Sequence, residues 1–169
     1  MEYGEYHKRM RTYFDEHTLS GIEPILEGMP GGLFIYHADG DEELMYINSA
    51  VLRIFGCDTE EEFRSLTGYT FRGMVHQDDI DEVDRSIKIQ IANSIYDFDY
   101  VEYRIIQKDG TIRWIEDYGH FMHTDAYGDI FYVFIDDSTE RLKNHMSELE
   151  KMNEELRTIY ARESQYRKA

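Results

Sequence analysis

The chain has 169 residues, a formal net charge of −17 and a single cysteine, Cys57. The acidity argues against a nucleic-acid partner, because a phosphate backbone needs a basic footprint. One cysteine excludes an internal disulfide framework and every multi-cysteine zinc or iron–sulfur pattern. No apolar run approaches the roughly 20 residues that span a bilayer, and the opening MEYGEYHKRM is too charged for a signal peptide. A cytoplasmic location with no direct membrane contact is therefore expected.

Residues 2–18 carry Tyr3, Tyr6, Met10, Tyr13, Phe14 and His17 at spacings of three and four, the stripe of an amphipathic helix. It would cover the outer face of a sheet, in its own chain or a partner's. Ser20-Gly21 interrupts the pattern, and IEPILEGM allows one further short turn before Pro30-Gly31-Gly32. Residues 33–37 and 43–48 read as two short strands joined by the acidic turn 38–42. Asn48 or Ser49 can cap a brief helix carrying Val51, Leu52 and Phe55, which Gly56 ends. Asp58 or Thr59 caps another, with Glu60, Glu61 and Glu62 near the positive end of its dipole and Phe63 and Leu66 as anchors. A loop, 67–77, leads to Asp78-Asp79 and the longest helical pattern of the body, striped by Ile80, Val83, Ile87 and Ile91.

Three strand-like runs follow. The first, near 98–107, ends at Asp109-Gly110, a pair that favours a tight hairpin because glycine tolerates positive φ. The second spans 111–123, and Tyr127-Gly128-Asp129 turns the chain into 130–135, IFYVFI, whose unbroken apolarity predicts cover on both faces. Two strands before a helical insert and three after it predict an α+β fold: one five-stranded antiparallel sheet with helices on one face.

No catalytic constellation emerges. Gly28, Gly31 and Gly32 lack the spacing of a phosphate-binding loop, and there is neither a nucleophile elbow nor a zinc HExxH motif. His120 and His123 fall on opposite faces of a strand. His76 beside Asp78 and Asp79 reads as a loop at a helix start, and Asp39 and Asp41 lack the remaining ligands of a calcium loop. No metal site and no enzymatic activity are expected.

The segments PGGLFIYHADGDEELMYINSAVLRIFG, FRGMVHQDDIDEV, YRIIQKDGTIRWIEDYG and DDSTERL, in this order, resemble the bacterial sensory type of PAS domain across roughly residues 25–141. Lys108-Asp109-Gly110 matches the hairpin turn, and Asp137-Ser138-Thr139-Glu140-Arg141 matches the terminal D-x-T-E-R signature, with Ser138 where an aliphatic residue is commoner. The resemblance implies an N-terminal helix (1–24), a PAS domain (25–138) and a C-terminal signalling helix (139–169). It also implies an output domain further along, a diguanylate cyclase or a histidine kinase. Flavin-binding relatives need an Asn-Cys-Arg-Phe-Leu-Gln segment, but Cys57 is followed by Asp58 and Thr59. Haem-binding relatives place a histidine on the long helix, and 80–94 contains none. No cofactor is expected.

Candidates to line the interior are Ile35, Leu52, Phe55, Met74, Ile87, Ile91, Tyr103, Ile105, Phe121 and Val133. They would either fill the core or leave room for a small molecule, whose polar atoms could meet Tyr100, Tyr103 or Tyr118. Asp137 and Glu140 have capping-box spacing about the start of the last helix at Thr139, and Arg113 is the nearest cation by type to pair with Asp137. These four form a candidate signal junction. Beyond it Leu142, Leu149 and Leu156 repeat in sevens, with His145, Met152 and Ile159 on the second seam position. This pattern predicts a parallel coiled-coil homodimer, the alternative being a helix folded back on its own sheet. The heptads continue toward Ala169, as expected of a segment leading into another domain. Two functions compete: a ligand- or state-responsive sensor, and a structural dimerisation module with a filled core.

Overall fold

The computed structural model describes residues 16–125 and 127–166, in two compact units that part between Asp137 and Ser138. Most of the aromatic stripe expected over 2–18 lies outside the described residues. The first described helix, α1, is Glu16–Glu27 and runs through Ser20, Gly21 and Pro24. The expected break at Ser20-Gly21 is thus absent: an interior glycine costs only about 1 kcal/mol. Pro24 withholds a single backbone donor, and Gly28 N donates to Pro24 O at 3.0 Å to close the last turn.

The strands are β1 Gly32–His37, β2 Leu44–Ile47, β3 Phe98–Ile106, β4 Ile112–Thr124 and β5 Gly128–Asp137. They form one antiparallel five-stranded sheet in the order β2-β1-β5-β4-β3, as the sequence predicts. The meander β3-β4-β5 is extended when β1 pairs with β5, which makes β5 the central strand and β3 an edge. Register sets rows across the inner face: Tyr36, Phe131 and Phe121 in one, and Phe34, Val133, Gly119 and Asp99 in the next. β5 is buried on this face, but Tyr132 and Phe134 on the other are only half-buried, so the two-sided cover expected of IFYVFI is incomplete.

Helices α2 Ser49–Ile54, α3 Glu60–Thr67, α4 Phe71–Met74 and α5 Ile80–Asn93 pack between β2 and β3 in sequence. α4 falls in the stretch read as a loop; it is too short to show periodicity, and Thr70 holds it by accepting from Gly73 N at 3.0 Å. Asn48 does more than cap α2. Buried within the fold, its Oδ1 accepts from Leu33 N (2.9 Å) and Val51 N (3.3 Å), while Nδ2 donates to Leu26 O (3.0 Å) and Gly31 O (3.2 Å). One amide thereby joins α1, the entry to β1 and the start of α2. The β3–β4 hairpin closes the far end of α2, where Gln107 Nε2 donates to Ile54 O (2.8 Å) and Lys108 N to Phe55 O (3.0 Å).

α5 is fastened to the edge strand at two points. Asp79, at its N-cap position, makes no side-chain cap; its carboxylate instead accepts from Arg104 Nε, Nη2 and backbone N at 3.0, 2.5 and 2.9 Å. Further along, Gln90 Nε2 donates to Tyr100 O (2.8 Å) and its Oε1 accepts from Tyr100 N (2.9 Å). The second unit is α6, Thr139–Tyr166, described by itself. Its seam residues Leu149, Met152, Leu156 and Ile159 are exposed in the single chain, between 48% and 58%.

Asn48→Ala should destabilise the first unit by about 2 kcal/mol or more, since a cap is lost and buried donors and acceptors go unpaired. Urea denaturation measures it, and a loss below about 0.5 kcal/mol, the low end for a cap alone, would contradict the role given to this amide.

Candidate ligand cavity

The apolar stripe of α5 meets the sheet incompletely. Between them lies a cavity of about 360 Å³, partly open to solvent. Its helix wall is Val83, Ile87 and Ile91; its sheet wall is Tyr36, Phe131 and Phe121; Phe71 of α4 closes one end. The rings form a continuous aromatic surface. Tyr36 stacks on Phe71 with centroids 4.6 Å apart and on Phe131 at 5.0 Å, and Phe121 meets Phe131 edge-on at 5.3 Å. Aromatic stacking adds about 0.5–1.5 kcal/mol per pair beyond area burial. Tyr36 is 3% exposed, and among the described residues none hydrogen-bonds its hydroxyl.

Carboxylates gather around that surface. Glu42 and Asp84 lie at the cavity's rim, where Lys88 Nζ donates to Asp84 Oδ2 at 2.7 Å. Burial raises the Glu42 carboxyl above its usual range, with Arg72 partly offsetting it. Deeper in the inner face lie Asp117, 1% exposed, and Asp99, 5% exposed. Tyr103 donates its hydroxyl to Asp117 Oδ2 at 2.7 Å, whereas Asp99 Oδ2 has no partner. The backbone admits Asp99 because its cross-strand neighbour is Gly119, where a Cβ would collide with that carboxylate. Burial holds Asp117 well above the usual carboxylate range, against the lowering effect of the Tyr103 hydrogen bond, and burial pushes Asp99 up to about 6. Burial also holds the Tyr36 phenol far above its normal range, reinforced by the charges of Asp117, Asp99, Glu42 and Asp84.

Of the interior residues named from the sequence, Ile87, Ile91 and Phe121 line the cavity. Phe55, Met74, Tyr103, Ile105 and Val133 instead belong to the close-packed core beside it, and Leu52 is half-buried against that core. Ile35 points to the opposite face: it pairs with Tyr46 and Tyr132, and its neighbours Phe34 and Tyr36 face inward. Tyr100 and Tyr118 also lie on the outer face, where Tyr100 donates to Glu102 Oε1 at 2.6 Å, so neither hydroxyl reaches the interior. Sequence reasoning missed Tyr36, Phe71, Phe131 and both buried aspartates. The adjacent charges Glu116-Asp117 in a strand were a usable signal, because alternation turns one of them inward. At the end of β5, Arg113 Nε donates to Asp137 Oδ2 at 2.7 Å, the pairing named from residue type. Thr139 and Glu140 stand in the first turn of α6. Cys57 is buried and free, and burial raises its thiol. Among the described residues, no group of three or more His, Cys, Asp or Glu could hold a metal ion, and no helix is long and apolar enough to cross a membrane.

An antiparallel sheet in the order β2-β1-β5-β4-β3, with short helices and one long helix over its inner face, defines an α+β domain of a single sheet with a one-sided helical layer. The family model described as PAS fold matches residues 44–135, and the chain belongs to the PAS family. Such modules are in general sensory and non-catalytic, and they commonly dimerise and link to output domains. Among solved structures, an RNA-binding light-oxygen-voltage receptor aligns with a TM-score of 0.62 at 21% identity, covering 83% of this chain and 39% of that one. This chain thus spans well under half of that receptor's length. A sensory box histidine kinase/response regulator from Burkholderia thailandensis aligns at 24% identity and TM-score 0.55, covering 80% of this chain and 97% of that one. The PAS domain of an HTR-like protein from Haloarcula marismortui aligns at 19% and 0.54, covering 77% and 98%. No curated protein matches.

Asp99 gives a pH signature of the opposite sign to most carboxylates. Its carboxyl, raised from 3.8 to about 6, contributes its full stability below the lower value and loses it as pH rises through the upper one. Asp99→Asn should therefore match the parent near pH 4 and exceed it at pH 8, by of order 1–3 kcal/mol. Equal denaturation midpoints at pH 8 would show that Asp99 ionises without cost.

Proposed function

We propose that this chain is the sensory part of a signalling protein, binding a small molecule in the cavity beneath α5 and relaying its occupancy through β5 into α6. The observation that carries the reading is the cavity itself, walled on one side by a helix and on the other by the strand that leads out of the domain. β5 ends at Asp137 and α6 begins at Thr139, so one residue, Ser138, separates sheet from helix along the chain. The Arg113–Asp137 ion pair ties the end of β5 to β4. In this reading Asp137, Thr139, Glu140 and Arg113 are the signal junction. The seam of half-buried Leu142 and exposed Leu149, Met152, Leu156 and Ile159 is the dimer contact of a parallel coiled coil, which passes the change to a cytoplasmic output domain, a diguanylate cyclase or a histidine kinase. The family, and the histidine kinase among the structural neighbours, support that kind of output.

Ile91→Trp tests the cavity. In an open site the indole fills existing space, so stability should fall by less than about 1 kcal/mol while a compound bound to the parent, seen by native mass spectrometry, is lost. A loss of about 1–3 kcal/mol, the cost of overpacking, with nothing bound to the parent would favour a structural dimerisation module with a filled core.

Leu149→Glu together with Leu156→Glu tests the seam. The parent should sediment as a dimer at micromolar concentration and the double variant as a folded monomer. A monomeric parent, or a variant that dimerises as well as the parent, would rule out the coiled coil as the contact.

A further inference from the structure

We infer that the cavity under α5 takes a small organic cation, a protonated amine carried on an aromatic or branched aliphatic body. The inference rests on the reading of the cavity as a ligand site and assigns its chemistry. Three independent features converge. The first is the aromatic wall: Tyr36 stacks on Phe71 (4.6 Å) and on Phe131 (5.0 Å), and all three line the cavity. The wall offers apolar surface for the ligand's aromatic or branched aliphatic body to bury.

The second is the hydroxyl of Tyr36, hydrogen-bonded by none of the described residues, on a residue 3% exposed that lines the cavity. Its oxygen keeps contact with the cavity, so a guest that enters can reach it. An ammonium N–H can donate to the phenol oxygen, leaving the phenol proton for a carboxylate or water.

The third is the sign of the field. Glu42, from the β1–β2 turn, and Asp84, from α5, both line the cavity, whereas the buried Asp99 and Asp117 lie outside its lining. Two cations also line the cavity. Lys88 is held by Asp84 at 2.7 Å, and Arg72 opposes Glu42. Against them stand Asp39, Glu42, Asp84 and Asp129, so the lining carries more negative charge than positive. An anion would have to displace this excess, and a neutral ligand would leave it uncompensated. The volume of about 360 Å³ accommodates a single-ring amine with room for water.

Calorimetric titration of the full chain at neutral pH with 2-phenylethylamine, 2-phenylethanol and phenylacetate isolates charge on one carbon frame. The amine should bind one per chain, about tenfold or more tighter than the alcohol, and phenylacetate should not bind. Ile91→Trp should abolish amine binding. The double substitution Glu42→Gln with Asp84→Asn should bring amine and alcohol within about threefold of each other, with near-ultraviolet circular dichroism unchanged. If the alcohol or phenylacetate binds as tightly as the amine and Ile91→Trp abolishes it, the cavity is a ligand site and the cation inference fails. Amine binding that survives Ile91→Trp lies elsewhere on an acidic protein and overturns the inference. Failure of all three probes to bind overturns it too.

Discussion

The fastening of α5 to the edge strand β3 is the constraint on which the interior depends. An edge strand presents unpaired backbone groups, and here Gln90 satisfies both the N–H and the C=O of Tyr100 with one side-chain amide. At the helix start Asp79 receives a forked, charge-assisted contact from Arg104, whose hydrogen bonds hold the Asp79 carboxyl below its usual range. The backbone of Arg104 is tied as well, its carbonyl accepting from His76 N at 2.8 Å. With α5 fastened to β3 at Asp79 and Gln90, its apolar stripe of Val83, Ile87 and Ile91 borders the cavity opposite Tyr36 and Phe131 on the sheet's other half. The cavity follows from where the helix is held.

Inside this frame the chain tolerates something most cores avoid. Asp99 and Asp117 sit on the inner face of the sheet, and burying a carboxylate without full pairing is costly. Asp117 has the Tyr103 hydroxyl, while Asp99 retains an unpartnered oxygen. The affordable form of both groups is the protonated one, which is why burial raises them. Their presence beside an aromatic cavity gives the interior a polarity that hydrophobic packing alone would not supply.

The architecture was largely legible in the sequence because its signals are local. Asp109-Gly110 marks the β3–β4 hairpin, Asn48 and Thr59 mark helix starts, and the three-and-four spacing of Ile80, Val83, Ile87 and Ile91 marks α5. The cavity was less legible because its walls depend on phase. Residues 33–36 are apolar throughout, so nothing in LFIY says whether Ile35 or Tyr36 faces inward, and a slip of one residue exchanges the faces. Glu116-Asp117 poses the same ambiguity with charges. Phe71 was hidden in a stretch too short for helical periodicity, and the run through Pro24 shows a helix overriding its local breakers. The Arg113–Asp137 pair was accessible from residue type because β4 and β5 are neighbours in the predicted meander.

A helix pinned to one edge leaves a space, the space borders the central strand, and that strand runs into the long helix. Ligand binding at this place depends on the space admitting a guest. Diffraction from crystals held under xenon pressure tests it most directly, since xenon enters apolar cavities without needing any specific chemistry. A xenon site is expected between Ile87 and the rings of Tyr36 and Phe71, with those side chains unmoved. Rings and isoleucines collapsed into the space, with no xenon bound there, would contradict it.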